Sequence, residues 1–574
     1  MHYARFPRWV IAALAVTPYQ FCATAVHAGI NVVLTTGAAS PDGNGTLSLL
    51  HAPSLNDAGQ LALVADLTGT SGGAADNQAL YRYDPIGLTL IARKGQSING
   101  KTVSLLLPAS IDSGGVVAGQ VALAPNPATF ATIFGSGGGI SKLVESGSAS
   151  PSGNNSLFSV TTYSVNDAGQ ASFSALYTGA NLESGIYTRA TNGALTTRVT
   201  SNTPAPRGGT IKGFSNRLTM NEFGQVTNIL KIDDVAFDSL ARIDGTTVHE
   251  LARAGDLAVD GVNTLGAFTS FDNATITPIP MINDAGQIAV TAKYGAANRL
   301  GAFRMDDVGI RLIAPNNLTG SGGSVAEMNV VGIDDAGRIA LWTEFSGGSD
   351  PGSGVYLADA AGQTVVALED AATPTPGKFF RSFFSSGAAL NDAGQLVFLA
   401  ELSNTANGAA AGRGLYYYDS ETGLQEIVRT GDAVGGSTIT SLSFSGTLNA
   451  AFIQSPDRSL SGLNNVGQVA FAFTLANGQD KIGLWTSGLD GDFNHDGTVD
   501  AADYTVWRDG LGGAYTQEDY NLWKANFGLN ANEGSGANGS SSSATVPEPT
   551  SLLLFALGLS MLLACSPWPD WFRV

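Results

Sequence analysis

A six-residue turn, best represented by Leu390-Asn391-Asp392-Ala393-Gly394-Gln395, recurs eight times between residues 55 and 469. The copies are LNDAGQ at 55–60, IDSGGV at 111–116, VNDAGQ at 165–170, MNEFGQ at 220–225, INDAGQ at 282–287, IDDAGR at 333–338, LNDAGQ at 390–395 and LNNVGQ at 463–468. Their glycines are separated by 56, 54, 55, 62, 51, 57 and 73 residues. Self-similarity at such a period is the mark of stacked supersecondary units, each too small to bury its own apolar face. The turn has a local logic. Asn or Asp at its first position bonds backbone further along, and Gly at its fourth takes a positive φ, so the turn joins two antiparallel strands.

One whole unit is legible between residues 383 and 432 as four short strands: Phe383 to Leu390, Gln395 to Leu402, Leu415 to Tyr418 and Gln425 to Thr430. The second strand is apolar on both faces, as in Leu61-Ala62-Leu63-Val64-Ala65, which requires sheet packed on both sides. The eighth unit runs through Ile482 to Thr486 and then lacks a fourth strand. The segment Ile30-Asn31-Val32-Val33-Leu34-Thr35-Thr36-Gly37 has the form of a fourth strand, compare Ile427-Val428-Arg429-Thr430-Gly431, and has no unit of its own. A spare strand at one end and a missing one at the other predict a ring. The expected fold is all-β: a β-propeller over 29–488 of eight four-stranded blades, closed by the N-terminal strand. Seven blades or an open stack are the alternatives, because the copy at 111–116 is degenerate and the last interval is long.

The two cysteines, Cys22 and Cys565, lie in apolar terminal segments, so packing alone must hold the repeats. Residues 1–28 carry Arg5 and Arg8, an apolar run from Trp9 to Val16 and small residues before Val26-His27-Ala28, the pattern of a secretory signal peptide. A formal net charge of -19 argues against nucleic acid as a partner, since phosphates would be repelled over the whole surface. Taken together, the repeat units resemble secreted bacterial tandem-repeat proteins with an N-x-x-G-x-x-x-A-F signature, best kept here at Ala470-Phe471. That resemblance implies a surface protein with no active site to carry over.

After Gly488 the composition changes. In the run from Asp490 to Asp503, Asp492, Asn494, Asp496, Asp500 and Asp503 stand at positions 1, 3, 5, 9 and 12 of an EF-hand-type loop, with Gly497 at the sharp turn. Thr498 stands at position 7, where the loop uses a backbone carbonyl. Oxygen donors at this spacing predict one calcium ion. The segment 489–529 resembles a dockerin-type module, since Asp503-Tyr504-Thr505-Val506-Trp507-Arg508 reappears as Asp519-Tyr520-Asn521-Leu522-Trp523-Lys524. Its second loop departs from that family: Arg508, Gly510, Gly512 and Ala514 stand where ligands would be, which leaves docking to a cohesin-like partner open. Trp507 and Trp523 are expected as the core of a helix pair rather than a ligand platform.

Residues 530–545 read as a flexible polar linker. In 546–574, Pro547-Glu548-Pro549 precedes an apolar run from Leu552 to Ala564. This resembles the PEP-CTERM sorting signal, which implies an exosortase-type partner, residence in the cell envelope or release outside it, and membrane contact through this segment only. The basic cluster usual in that signal is reduced to Arg573.

Catalytic chemistry has little support in the residues. His51, His249 and His495 are far apart in sequence, and no cysteine accompanies them in the repeats. The second turn position places Asp57, Asp167, Asp284, Asp335 and Asp392 around one face of a propeller. Turn chemistry explains them; cation binding or glycosidase-like pairs are the alternatives. The expected function is therefore a non-enzymatic, exported surface protein that binds or structures extracellular polysaccharide or surface proteins. The alternative is a secreted polysaccharide-active hydrolase or lyase on a propeller scaffold.

Overall fold

A computed structural model describes residues 30–486 except 99, 125–128, 146–147, 152–154, 180–182, 234–236, 261–262, 272–278, 319–323, 347–351, 421 and 447–460. It also describes 491–528 except 494–497 and 512–516. The segments read above as signal peptide (1–28), linker (530–545) and sorting signal (546–574), and Asn494 and Asp496 of the acidic loop, lie outside the described residues.

The repeats form eight antiparallel sheets of four principal strands each, in chain order in all but the last. Blade 7 is representative: Phe379–Leu390, Leu396–Ser403, Ala410–Asp419 and Gly423–Arg429. Blade 8 is made of Ser437–Ser443, Gln468–Leu475 and Asp480–Thr486, and its fourth strand is Ile30–Thr35. This strand runs antiparallel to Asp480–Thr486, with Ile30 opposite Trp485 and Thr35 opposite Lys481. The chain is therefore an eight-bladed propeller closed by its N-terminal strand. The degenerate copy at 111–116 makes a complete blade, because Gly115 N–H reaches Asp112 O at 3.0 Å as in the other turns. Neither seven blades nor an open stack describes it.

Burial follows from the stacking. In the second strand of blade 1, every residue from Leu61 to Ala65 is buried, since a blade lies on either side. Core clusters accordingly form between blades. Ile186 and Val199 of blade 3 pack with Ile211, Leu218 and Met220 of blade 4. The closing junction is built the same way, with Leu34, Ala470 and Ile482 of blade 8 against Leu47, Leu61 and Tyr81 of blade 1. Each fully buried side chain of this size contributes about 1.5–3 kcal/mol, so closure rests on apolar contact as well as on strand pairing.

First strands of neighbouring blades lie side by side, as Phe379–Leu390 does with Ser324–Ile333. They are longer and less regular than the spacing predicts. That of blade 7 starts at Phe379 and carries a bulge between Phe383 and Ala388. In blade 1 it is split into Thr46–Leu50 and Ser54–Leu55. Bulges sharpen local twist, which the crowded inner edge of a ring demands.

A second repeated device lies in the third strands. Tyr187, Tyr356 and Tyr416 each fold over a glycine two residues earlier. A Cβ on Gly354 would stand 2.7 Å from the Tyr356 ring, and one on Gly414 2.7 Å from that of Tyr416. Glycine is required there for close approach, not for backbone freedom.

Two helices follow the propeller, α1 (Ala501–Gly510) and α2 (Gln517–Asn526). Trp507 and Trp523 are buried between them, with Trp507 4.8 Å from Tyr520 and Trp523 5.3 Å from Tyr504 by ring centroids. These tryptophans are core.

Candidate functional site

The eight turns meet on one face of the propeller and are joined into a ring by their own side chains. In each, the fourth-position glycine adopts a left-handed φ, from +73° at Gly59 to +81° at Gly467. The first-position asparagine then does two things. In blade 1, Asn56 Oδ1 accepts the Gln60 N–H at 2.8 Å, closing its own turn, while Nδ2 donates to Asp112 O of blade 2 at 2.7 Å. The same reach recurs from Asn166 to Asn221, Asn221 to Asn283, Asn283 to Asp334 and Asn391 to Asn464. From blade 8, Asn464 donates to Asn56 O at 3.0 Å and completes the circuit.

Two blades carry Asp at this position and cannot donate as an amide does. In blade 6, Asp334 is fully buried and pairs with Arg338 at 2.5 Å; Arg338 in turn donates to Ala393 O of blade 7 at 2.9 Å. In blade 2, Ser113 Oγ donates to Asp167 O of blade 3 at 2.8 Å. Burial pushes the Asp112 carboxyl above its ordinary range, opposed by backbone N–H groups of Val116, Gly114 and Gly115.

The second turn position links five of the eight blade junctions in parallel. Asp57 Oδ1 accepts the Asn465 N–H at 2.8 Å, Asn465 Oδ1 that of Asp392 at 3.0 Å, and Asp335 Oδ1 that of Asp284 at 3.1 Å. Asp284 and Glu222 likewise accept from Glu222 and Asp167. The sequence places Asp57, Asp167, Asp284, Asp335 and Asp392 on this face; Glu222 and Asn465 join them by the same bond, which the acid-only pattern misses. Most of these side chains act as acceptors for a neighbouring blade's N–H, a structural role.

A third link joins the blades. Arg82, Arg242 and Arg304, each in a third strand, donate to the carbonyls of Gly115, Gly286 and Gly337 in the next blade's turn at 3.1, 3.3 and 3.3 Å. The signal was present as Arg82-Tyr83-Asp84, Arg242-Ile243-Asp244 and Arg304-Met305-Asp306, three copies of Arg-x-Asp.

Residues 21–310 and 311–487 match a family described as a family of unknown function, DUF7453. The chain belongs to DUF7453. Comparison with curated proteins finds no match. Among solved structures, this DUF7453 member is similar to the β-propeller domain of the Trilobed protease from Pyrococcus furiosus, at 11% identity over 67% of this chain and 98% of that one, with a TM-score of 0.35. It is also similar to a Mycobacterium tuberculosis puromycin-hydrolyzing peptidase, at 10% identity over 74% of this chain and 58% of that one, TM-score 0.36. A third is prolyl oligopeptidase B from Galerina marginata, at 12% identity over 70% of this chain and 54% of that one, TM-score 0.38. The chain thus spans little more than half of either peptidase.

Of the residues expected to hold calcium, Asp492, Thr498, Asp500 and Asp503 are described. Asp492 and Asp503 are buried, at 2% and 0% exposure. Asp500 caps α1, its carboxylate accepting Ala502 N–H at 2.7 Å, and its own N–H donates to Asp503 Oδ2 at 2.7 Å. This reciprocal pair fixes the ninth and twelfth loop positions relative to each other. The second helix is tied to the loop as well, by Trp523 Nε1 donating to Asp500 O at 2.7 Å and Gly528 N–H to Val499 O at 2.7 Å. Among the described residues no group of three or more His, Cys, Asp or Glu side chains is assembled around one point. Carboxylate oxygens are the donor type that calcium takes, so the chemistry of Asp492 and Asp503 is compatible with that expectation.

Proposed function

We propose that the protein is a non-enzymatic propeller, exported and displayed at the cell envelope, which holds extracellular polysaccharide and carries one calcium-binding loop of dockerin-like character. The observation that carries this reading is the use of the repeat's side chains. The turn residues that vary least between blades form the circuits joining one blade to the next, so the acids of the ring act as a framework. The signal-like segment 1–28 and the Pro547-Glu548-Pro549 segment support export and sorting by an exosortase-type enzyme. Asp492, Asp500 and Asp503, with Asn494, Asp496 and the Thr498 carbonyl, would hold the ion; calcium supplies charge that lets the buried carboxylates remain ionised.

The test is co-sedimentation of the protein with the polysaccharide of its own cell envelope, in calcium and in chelator, with reducing ends assayed in the supernatant. Retention without release of soluble fragments is expected. Release of fragments would replace this reading with a polysaccharide-active enzyme, and absence of retention in both conditions would replace it with a surface protein as partner.

A further inference from the structure

Between blades 1 and 2 the outer surface opens into a cleft of about 630 Å³, within the range of small-molecule sites. Its origin lies in one turn. The turns joining third to fourth strands usually begin with a capping aspartate: Asp84 accepts Ile86 N–H at 3.1 Å, Asp306 Val308 N–H at 2.9 Å and Asp359 Ala361 N–H at 2.7 Å. Blade 2 instead has Gly135-Ser136-Gly137-Gly138-Gly139. Stripped of side chains, this turn leaves backbone N–H and C=O groups along one wall. A Cβ on Gly138 or Gly139 would meet nothing within 4 Å.

The opposite wall comes from blade 1. Part-exposed Leu90 and almost fully buried Ile91 lie on the floor of the cleft, and Lys94 and Gln96 form a polar rim. The rim is held in place. Arg93 is fixed by Asp42 at 2.8 Å, Ser40 at 3.0 Å and the carbonyls of Asn44 and Asp76, each at 3.0 Å. Asp76 accepts from Asn44 Nδ2 at 2.8 Å. Lys94 Nζ donates to Asn77 Oδ1 at 3.0 Å, and Gln96 Oε1 accepts the Arg93 N–H at 3.1 Å, which leaves the Gln96 amide nitrogen for a ligand.

We infer that this cleft is a saccharide subsite, in which a neutral sugar packs against Leu90, bonded by Lys94 and Gln96 on one side and by the glycine backbone on the other. Donors and acceptors converging beside Leu90 suit a ring bearing hydroxyls, and with Arg93 paired to Asp42 and both Lys94 and Asp76 in the lining, the cleft carries little net charge, which disfavours a strongly charged ligand. The assignment rests on the polysaccharide-binding reading and locates it.

Gly139 offers the test, since a side chain there enters the cleft without backbone strain. Gly139→Trp is compared with Ala361→Trp, an exposed position in the equivalent turn of blade 6, and both with Lys94→Ala. Binding of neutral oligosaccharide fragments of the envelope polysaccharide is measured by calorimetry on the full-length protein. Gly139→Trp should weaken binding at least about tenfold and Lys94→Ala several-fold, with Ala361→Trp like the parent. Parent-like binding by Gly139→Trp, or equal loss in Gly139→Trp and Ala361→Trp, overturns the subsite while leaving polysaccharide binding standing. If the unaltered protein binds no fragment and is not retained by the polysaccharide, the broader reading falls and the subsite falls with it.

Discussion

Asn464 donates its side-chain amide to the carbonyl of Asn56, 3.0 Å away across 408 residues of chain. The bond is the last in a circuit of like bonds, and the junction it closes is also held by the strand Ile30–Thr35. Asn464→Asp keeps the shape and removes the donor, so Asn56 O keeps only the Gly59 N–H and faces a carboxylate oxygen at a buried site. A loss of about 1–3 kcal/mol is expected from urea denaturation. A midpoint equal to that of the parent would show that strand pairing and apolar contact alone close the ring.

Asp334 and Arg338 replace the Asn and Gln of other turns as a coupled pair. Arg338→Gln alone leaves a fully buried carboxylate without its cation and should cost about 3–5 kcal/mol. Asp334→Asn with Arg338→Gln restores the combination found at Asn391 and Gln395 and should recover most of that loss. A double-mutant cycle by denaturant titration reads the coupling; additive effects would show that the two residues act independently.

Asp112 gives the turn of blade 2 a pH dependence. Because its folded-state pKa is raised by burial, the folded protein keeps a proton that the unfolded chain has released. Its contribution is full below about pH 4 and is lost as pH rises through the folded-state value. Asp112→Asn should therefore stabilise the protein more at neutral pH than in acid. Melting temperatures of the two proteins, compared across this range, should diverge as pH rises; a constant difference would contradict the assignment.

Gly414 is placed under the ring of Tyr416, whose hydroxyl donates to Glu426 at 2.9 Å. Gly414→Ala should displace that ring and cost about 1–3 kcal/mol through overpacking. Tyr416→Phe, which keeps the ring and loses one hydrogen bond, should cost less. The reverse order, read from thermal melts, would mean that the hydroxyl matters more than the close approach.

The loop near α1 should report calcium through Trp523, whose indole is bonded to Asp500. Calcium is expected to change tryptophan fluorescence and to raise the melting temperature of the parent through linkage. Asp503→Ala and Asp492→Ala should abolish both responses. Persistence of the response in both variants would place the ion elsewhere.

The ring architecture was legible because its signals are local or terminal: Asn391 and Gly394 at a tight turn, and Ile30–Thr35 as a strand lacking a blade. The unbroken apolar run from Leu61 to Ala65 and its counterparts also gave the buried second strands. What stayed hidden depends on the angle between blades. Asp57 reads as a turn acid, and only the position of Asn465 in blade 8 shows which N–H it accepts. Gly414-Leu415-Tyr416 and its relatives repeat openly, but nothing in their spacing says that the ring folds back on its own glycine. The glycine-rich turn of blade 2 reads as another loop until Leu90 and Ile91 of blade 1 are placed opposite it.

The strand Ile30–Thr35 has a consequence for the order of events during synthesis. It is made first and finds its place last, since its partner Asp480–Thr486 is more than four hundred residues downstream. A nascent chain stopped anywhere short of that partner is an arc with unpaired edges at both ends, the form most prone to join other chains. Late, long-range closure also makes the final step slow relative to local hairpin formation. A chaperone that shields an unpaired strand would thus be most useful in the interval between emergence of blade 7 and arrival of Thr486.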